Sequence, residues 1–132
     1  MMTTHSCLLC LGSNENRIAR MTSAREALKA NFPHIRFGTE METEAIGSGF
    51  LSPFSNQVAW LETSLSSEQV RGILKQIESD NGRLPEDKAL GIVKLDIDLL
   101  MYDDCVLKPA DMKKEYVLVG MKELGFIYNQ PS

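Results

Sequence analysis

Apolar segments alternate along the chain with segments whose apolar residues recur at helical spacing. Four segments have the length and the apolar content of β-strands, namely residues 5–11, 35–43, 54–63 and 95–102. Residues 44–53 carry two glycines, two serines and a proline, so we predict a mobile loop there. The apolar residues of this loop either pack against the core or cover a ligand.

Two further segments show the period of an amphipathic helix. The first covers residues 17–31, and its inward face is marked by Met21, Ala24, Leu28 and Phe32. Ser13 or Asn14 is expected to cap its N-terminus, because their side-chain oxygens accept hydrogen bonds from the free backbone N–H groups of a first turn. Pro33 is expected to end this helix.

The second predicted helix begins at Ser66 and carries strong local signals. Ser66 and Gln69 have the spacing of a capping box, in which each side chain bonds the backbone of the other residue. The apolar stripe of this helix consists of Val70, Ile73, Leu74 and Ile77. Gly82 is the expected stop, and a polar loop is predicted over residues 83–91.

The order strand, helix, strand, strand, helix, strand is that of the ferredoxin-like βαββαβ arrangement. We therefore predict an α+β fold, in which an antiparallel sheet carries its helices on one face and a ligand site on the other. After the last strand we expect only a short apolar segment at residues 116–119 and a helical turn at 121–124. The length of 132 residues predicts a single domain over residues 1–132.

The last predicted strand contains two carboxylates in an apolar run. Residues two apart share a face of a strand, so Asp96 and Asp98 would lie together. The opposite, core-facing side would carry Leu95, Ile97, Leu99 and Met101. Adjacent carboxylates repel each other and resist desolvation, and a bound divalent cation removes both costs. Mg²⁺ suits this pair best, because it shares a few carboxylate oxygens with substrate phosphates. The alternative is that both acids face water on an open sheet.

Composition and charge argue against several classes of protein. The chain is 43% hydrophobic and 24% charged, and its net charge of −4 argues against broad nucleic-acid binding. No apolar stretch reaches the length of a membrane span and no signal peptide is evident, so we expect a cytoplasmic protein without a membrane partner. Three cysteines argue against a disulfide framework. Cys7 and Cys10 would face opposite sides of a strand, which disfavours a zinc or redox role.

Short motifs add a family resemblance. In chain order they read LGSN at 11–14, ET at 42–43, FSN at 54–56, LET at 61–63, IE at 77–78, GR at 82–83, LDIDLLMY at 95–102 and YVL at 116–118. In their order and spacing the chain resembles the 6-hydroxymethyl-7,8-dihydropterin pyrophosphokinase family. The resemblance implies transfer of the pyrophosphoryl group of ATP to the pterin hydroxymethyl group, with release of AMP, in folate biosynthesis.

The resemblance also implies a role for individual residues. Two Mg²⁺ ions would be held by Asp96 and Asp98, which together with Arg83 would be the catalytic residues. The pterin would be bound by Thr43, Ile46, Phe54, Asn56 and Tyr116. The nucleotide ATP, the co-substrate, would be bound by Glu78, Arg83, Lys108 and Lys114.

The nucleotide side departs from the family pattern. Val93 and Pro85 stand where the family has arginines, and Leu90 stands where it has a tryptophan. Lysines in the remaining basic positions keep the charge but lose the bidentate grip of arginine on phosphate. Three interpretations remain open: an active but diverged pyrophosphokinase, a homologue that binds pterin or nucleotide without turnover, and a ferredoxin-like interaction domain without a small ligand.

Overall fold

A six-stranded antiparallel sheet organises the part of the chain that the structure describes. The structure is a computed structural model, and it describes residues 3–44 and 53–125. The strands are β1 (His5–Ser13), β2 (Ile35–Phe37), β3 (Met41–Thr43), β4 (Phe54–Thr63), β5 (Asp96–Tyr102) and β6 (Cys105–Val106). Their spatial order is β2-β4-β1-β5-β6, and β3 pairs with β4 on the same edge as β2.

Helices connect these strands in the predicted order. They are α1 (Arg17–Asn31), α2 (Ser67–Asp80) and α3 (Glu115–Glu123), with shorter 3-10 helices at Pro85–Leu90 and Asp111–Lys113. The α+β, ferredoxin-like βαββαβ arrangement is therefore confirmed, with α3 as an addition after it. None of the helices in residues 3–44 and 53–125 is both long and apolar enough to cross a membrane.

The helix boundaries confirm one predicted cap and correct another. The Ser66 hydroxyl accepts from the Gln69 N–H at 3.2 Å and the Gln69 side chain accepts from the Ser66 N–H at 2.9 Å, so the capping box is confirmed. The cap of α1 was predicted wrongly, because Asn16, with φ 49°, occupies that position. The Asn14 side chain instead bonds the backbone of the segment that precedes β5.

The first core layer lies between the sheet and the pair α1 and α2. From the predicted helical stripes, this layer contains Met21, Ala24 and Leu28 of α1, Phe32 directly after α1, and Val70, Leu74 and Ile77 of α2. Strand residues of this layer alternate along the chain as the period of two requires, with Leu9 and Leu11 on β1 and Leu95, Ile97 and Leu99 at β5. Ile73 is only partly buried at its edge.

The second face of the sheet is covered in part by α3, which the sequence pattern did not predict to lie there. Val117 and Met121 of this helix pack against Leu8, Val58 and Leu100. The helix begins at Glu115, well before the turn expected at residues 121–124. The face of the sheet on which the ligand site was predicted is therefore partly covered by α3. A ligand site on this face has to lie beside α3.

Two strands differ from their predicted form. The predicted strand 35–43 is divided into β2 and β3, because the segment between Phe37 and Met41 has one residue more than the facing segment of β4 between Asn56 and Ala59. In β5 the pairing with β1 shifts between Leu8 and Leu9, so the side chains change faces there. Met101 consequently packs on the α3 side of the sheet. The prediction that it shares the other face with Leu95, Ile97 and Leu99 was therefore wrong.

Two loop predictions are affected differently. The segment 83–91, predicted as a polar loop, contains the 3-10 helix Pro85–Leu90. The predicted mobile loop 44–53 falls almost wholly on residues 45–52, which lie outside the described residues. Ile46, a predicted pterin-binding residue, is one of them.

Candidate active site

The three central strands bring the candidate residues to one face of the sheet. Gly12 of β1 lies opposite Asn56 of β4 on one side and opposite Asp96 of β5 on the other. Cys10 is paired in the same way with Asp98. A Cβ atom at Gly12 would lie 3.4 Å from Oδ1 of Asn56, so glycine keeps the sheet surface low between the amide and the carboxylate. Above this floor lies a cavity of about 800 Å³.

The cavity collects most of the predicted substrate-binding side chains. It is lined by Thr43 of β3, by Phe54 and Asn56 of β4, and by Tyr116 of α3. Asn56 is only 6% exposed, and its amide donates to the Thr43 hydroxyl at 2.8 Å. This hydrogen bond fixes the amide in one orientation. A buried, oriented amide in a cavity that is also lined by aromatic side chains is a typical element of a heterocycle-binding pocket.

Asp96 and Asp98 lie together on β5, as the strand period predicts. Arg83 donates through Nη1 to Oδ1 of Asp96 and to Oε2 of Glu78, at 2.8 Å in each case. The same Glu78 oxygen accepts from the Ile97 N–H at 2.8 Å. Arg83 is thus held between two carboxylates, and one of these is anchored to the backbone of β5.

The two aspartates titrate very differently. Burial, followed by the hydrogen bond and charge of Asp96, raises the pKa of Asp98 to about 7. Burial also acts to raise the pKa of Asp96, but hydrogen bonds from Asp98 and Arg83 outweigh it and leave the value lowered. Burial raises the pKa of Glu78 in spite of its bonds to Ile97 and Arg83. In the metal-free chain, Asp98 is therefore the carboxyl of the pair that keeps its proton to the higher pH.

The donor set fits magnesium. Within the described residues, no group of three or more histidine, cysteine or acidic side chains is arranged to hold a metal ion. The pair Asp96 and Asp98 offers hard carboxylate oxygens on one surface, and a cation would offset both the burial and the charge of Asp96 that raise the pKa of Asp98. Mg²⁺ commonly takes one or two carboxylates and completes its coordination with phosphate oxygens and water.

A second cavity of about 500 Å³ adjoins the first at these carboxylates. Arg83, Asp96 and Asp98 line both cavities, whereas Glu78 and Lys108 line the second alone. Three of the four predicted nucleotide-binding residues therefore meet at the second cavity. The fourth, Lys114, lines the first cavity and is paired with Asp111 at 2.7 Å.

The wall of the first cavity opposite α3 is formed by the segment before β5. Asn14 accepts from the Val93 N–H at 2.6 Å and donates to the Gly91 carbonyl at 2.9 Å. Lys94 donates to the Gly82 carbonyl at 2.9 Å and lies 3.4 Å from the buried Asp87 carboxylate. These bonds make the segment a fixed wall, and they occupy the Lys94 ammonium group.

Sequence reasoning missed several lining residues. Cys10 lies in the cavity floor, where its thiol is hydrogen-bonded with the Tyr116 hydroxyl. Burial raises the pKa of the Cys10 thiol to about 12. Arg71 and Lys75 of α2 line the second cavity. Their spacing of four residues on the polar face of a helix was the available signal, but it is also the pattern of a solvated helix face.

Comparison with known proteins relates the chain to one enzyme family. The family model described as 7,8-dihydro-6-hydroxymethylpterin-pyrophosphokinase (HPPK) matches residues 8–125. A curated protein of Aquifex aeolicus (strain VF5), named 2-amino-4-hydroxy-6-hydroxymethyldihydropteridine pyrophosphokinase, is 30% identical over 121 residues, which are 91% of this chain and 74% of that protein. Among solved structures, a de novo designed protein with a ferredoxin fold aligns at TM-score 0.30 and 12% identity, over 81% of this chain and 90% of its own.

Proposed function

Because the chain belongs to the 7,8-dihydro-6-hydroxymethylpterin-pyrophosphokinase family and is a pyrophosphokinase-like enzyme, we propose that it transfers the pyrophosphoryl group of ATP to 6-hydroxymethyl-7,8-dihydropterin and releases AMP. The observation that supports this reaction most is the position of Asp96 and Asp98, which line both cavities. Group transfer requires two substrates to be held with their reacting atoms adjacent. Carboxylates at the junction of two cavities lie where such atoms would meet.

The first cavity is the pterin site in this proposal. Its volume of about 800 Å³ lies within the usual range of ligand pockets. Asn56 presents an amide donor and acceptor, which matches the edge of an aminopyrimidinone ring, and Thr43 holds that amide in place. Phe54 and Tyr116 supply aromatic surfaces for the planar ring. Ile46, which the resemblance also assigns to the pterin, lies outside the described residues.

The second cavity is the nucleotide site in this proposal, with Glu78, Arg83 and Lys108 along it. Asp96 and Asp98 would hold two Mg²⁺ ions, which when bound supply charge neutralisation for the phosphates and alignment of the attacking hydroxyl with the β-phosphorus. Arg83 is fixed by Glu78 beside Asp96, so its guanidinium is already oriented toward the junction where the transferred group would lie. Such preorganised charge contributes most when it needs no rearrangement during the reaction.

One observation favours a second candidate, a homologue that binds its ligands without turnover. Val93, an arginine position by the resemblance, lines the first cavity, and the neighbouring Lys94 is bonded to Gly82 and Asp87. The junction therefore has less free positive charge from this wall than the resemblance implies. This candidate predicts binding of the pterin and of ATP with Mg²⁺, without release of AMP.

The deciding experiment measures AMP release from ATP with and without hydroxymethyl-dihydropterin, over a range of Mg²⁺ concentrations. We expect pterin-dependent and Mg²⁺-dependent AMP release that is lost in Asp96→Ala and Asp98→Ala. Calorimetric titrations with the pterin, and separately with α,β-methylene-ATP and Mg²⁺ to measure nucleotide binding, are run on the same preparations. If the chain binds the pterin and ATP yet releases no AMP at any Mg²⁺ concentration, transfer is refuted and the binding candidate replaces it.

A further inference from the structure

The cations of the two cavities differ in how they are paired. In the first cavity, Lys94 lies 3.4 Å from Asp87 and Lys114 lies 2.7 Å from Asp111, so two of its ammonium groups already have carboxylate partners. Lys88, also on the first cavity, has no such partner among the described residues. The positive charge of the first cavity is therefore mostly neutralised by the protein itself.

The second cavity has the opposite character. Arg71 and Lys75 are exposed, and neither side chain has a hydrogen bond or an ion pair within residues 3–44 and 53–125. They are four residues apart on α2, so they lie on one side of the helix, facing the same cavity. Lys108 lies on that cavity too, and its charge acts on Asp98 through space.

Unpaired cations gathered around one concavity repel one another, and an anion in that concavity removes the repulsion. Glu78 and Asp96 of the same cavity do not supply this anion, because Arg83 already holds both carboxylates. The second cavity thus combines carboxylates held by Arg83 with three lining cations that have no ion-pair partner among the described residues. A polyphosphate chain is an anion that can contact several such cations while its reacting end lies at the junction.

We propose that Arg71 and Lys75, together with Lys108, bind the triphosphate of the nucleotide in the second cavity. The proposal rests on the proposed function and adds residues to it: α2 supplies phosphate-binding charge that Val93 and Pro85 do not. Arginine offers a planar fork to phosphate oxygens, and lysine offers a compact charge, so the two residues together can follow several phosphate oxygens. Lys114 is paired with Asp111 in the first cavity and does not belong to this group of cations.

The experiment titrates the full chain with α,β-methylene-ATP and Mg²⁺ by calorimetry. Arg71→Gln and Lys75→Gln should each weaken binding about tenfold, the loss of one charge-assisted contact at an exposed site. The double variant should lose more than either single variant, and its affinity should depend less on salt. Inorganic triphosphate as the probe should show the same losses, whereas AMP should show much smaller ones.

Two controls and a folding test keep the outcome decisive. Lys88→Gln removes a cation of the first cavity and Lys122→Gln removes one from α3, and both should leave nucleotide affinity within about twofold of wild type. Pterin affinity should be unchanged in the variants of α2 and α3, and thermal unfolding should be unchanged in every variant, since all these side chains are exposed. Unchanged nucleotide affinity in the double variant, or a loss with Lys88→Gln equal to it, overturns the proposal. Nucleotide binding without AMP release refutes only the transfer reaction, and absence of nucleotide binding in wild type refutes both.

Discussion

Replacing Asp98 with asparagine should stabilise the metal-free chain while abolishing its response to magnesium. The pKa of Asp98 is raised to about 7 from an ordinary 3.8, first by burial and then by Asp96. The folded chain therefore keeps a proton that the unfolded chain releases between about pH 4 and about pH 7, and stability falls as the pH rises through this window. Above it the penalty is constant. Asparagine imitates the protonated carboxyl, because its amide can still donate to Asp96.

The magnitude follows from the size of the pKa change. Tenfold in an ionisation constant is ~1.4 kcal/mol, so the full shift would correspond to about 4 kcal/mol. Water reaches the partly exposed carboxylates and screens the interaction, so we expect Asp98→Asn to raise the free energy of unfolding by about 1–2 kcal/mol at pH 8. At pH 4 the difference should nearly vanish, since the wild-type carboxyl is then protonated in the folded state.

Urea denaturation at pH 4, 6 and 8 in EDTA measures the difference in the free energy of unfolding between wild type and Asp98→Asn. Repeating the measurement at pH 8 with Mg²⁺ tests whether the ion binds the folded chain. Mg²⁺ should stabilise the wild type, because a ligand that binds only the folded state shifts the equilibrium toward it, and it should leave Asp98→Asn unchanged. Asp104→Asn, at the exposed turn after β5, is the control and should differ little from wild type at any pH. A variant less stable than wild type at pH 8 in EDTA would refute the reasoning, as would a stability difference that does not change with pH.

Four further changes test separate parts of the structure. Asn56→Ala should weaken pterin binding by about 1–3 kcal/mol, because a buried hydrogen-bonding partner is lost, and calorimetry showing equal affinities would contradict the assignment. Gly120→Ala should destabilise the fold by about 1–3 kcal/mol, because its Cβ would lie 2.7 Å from Val58 atoms. Gly72→Ala, with no atom within 4 Å of the added Cβ, should instead stabilise α2 by about 0.5–1 kcal/mol in the same denaturation assay. Ser66→Ala should cost ~1 kcal/mol by removing the capping box, and a negligible change in urea midpoint would refute that value.

Features carried by neighbouring residues could be predicted from the sequence. The bounds of α1 follow from its apolar stripe and Pro33, and the start of α2 follows from the Ser66 and Gln69 pair, because these interactions span only a few residues. The common face of Asp96 and Asp98 follows from the strand period alone, and their closeness to Thr43 and Asn56 follows from the motif resemblance.

Features that depend on residues far apart in the chain were decided by the tertiary structure. The packing of α3 on the second face depends on Gly120 meeting Val58, and no local pattern encodes that contact. Asn14 could not be assigned to the segment before β5 from a sequence in which it stands next to a helix start. The division between paired and unpaired cations is of the same kind. Lysine and arginine look alike along a sequence, and only the folded chain determines that Lys94 meets Asp87 while Arg71 and Lys75 face a cavity, because the energy of a charge depends on what lies within a few ångströms of it.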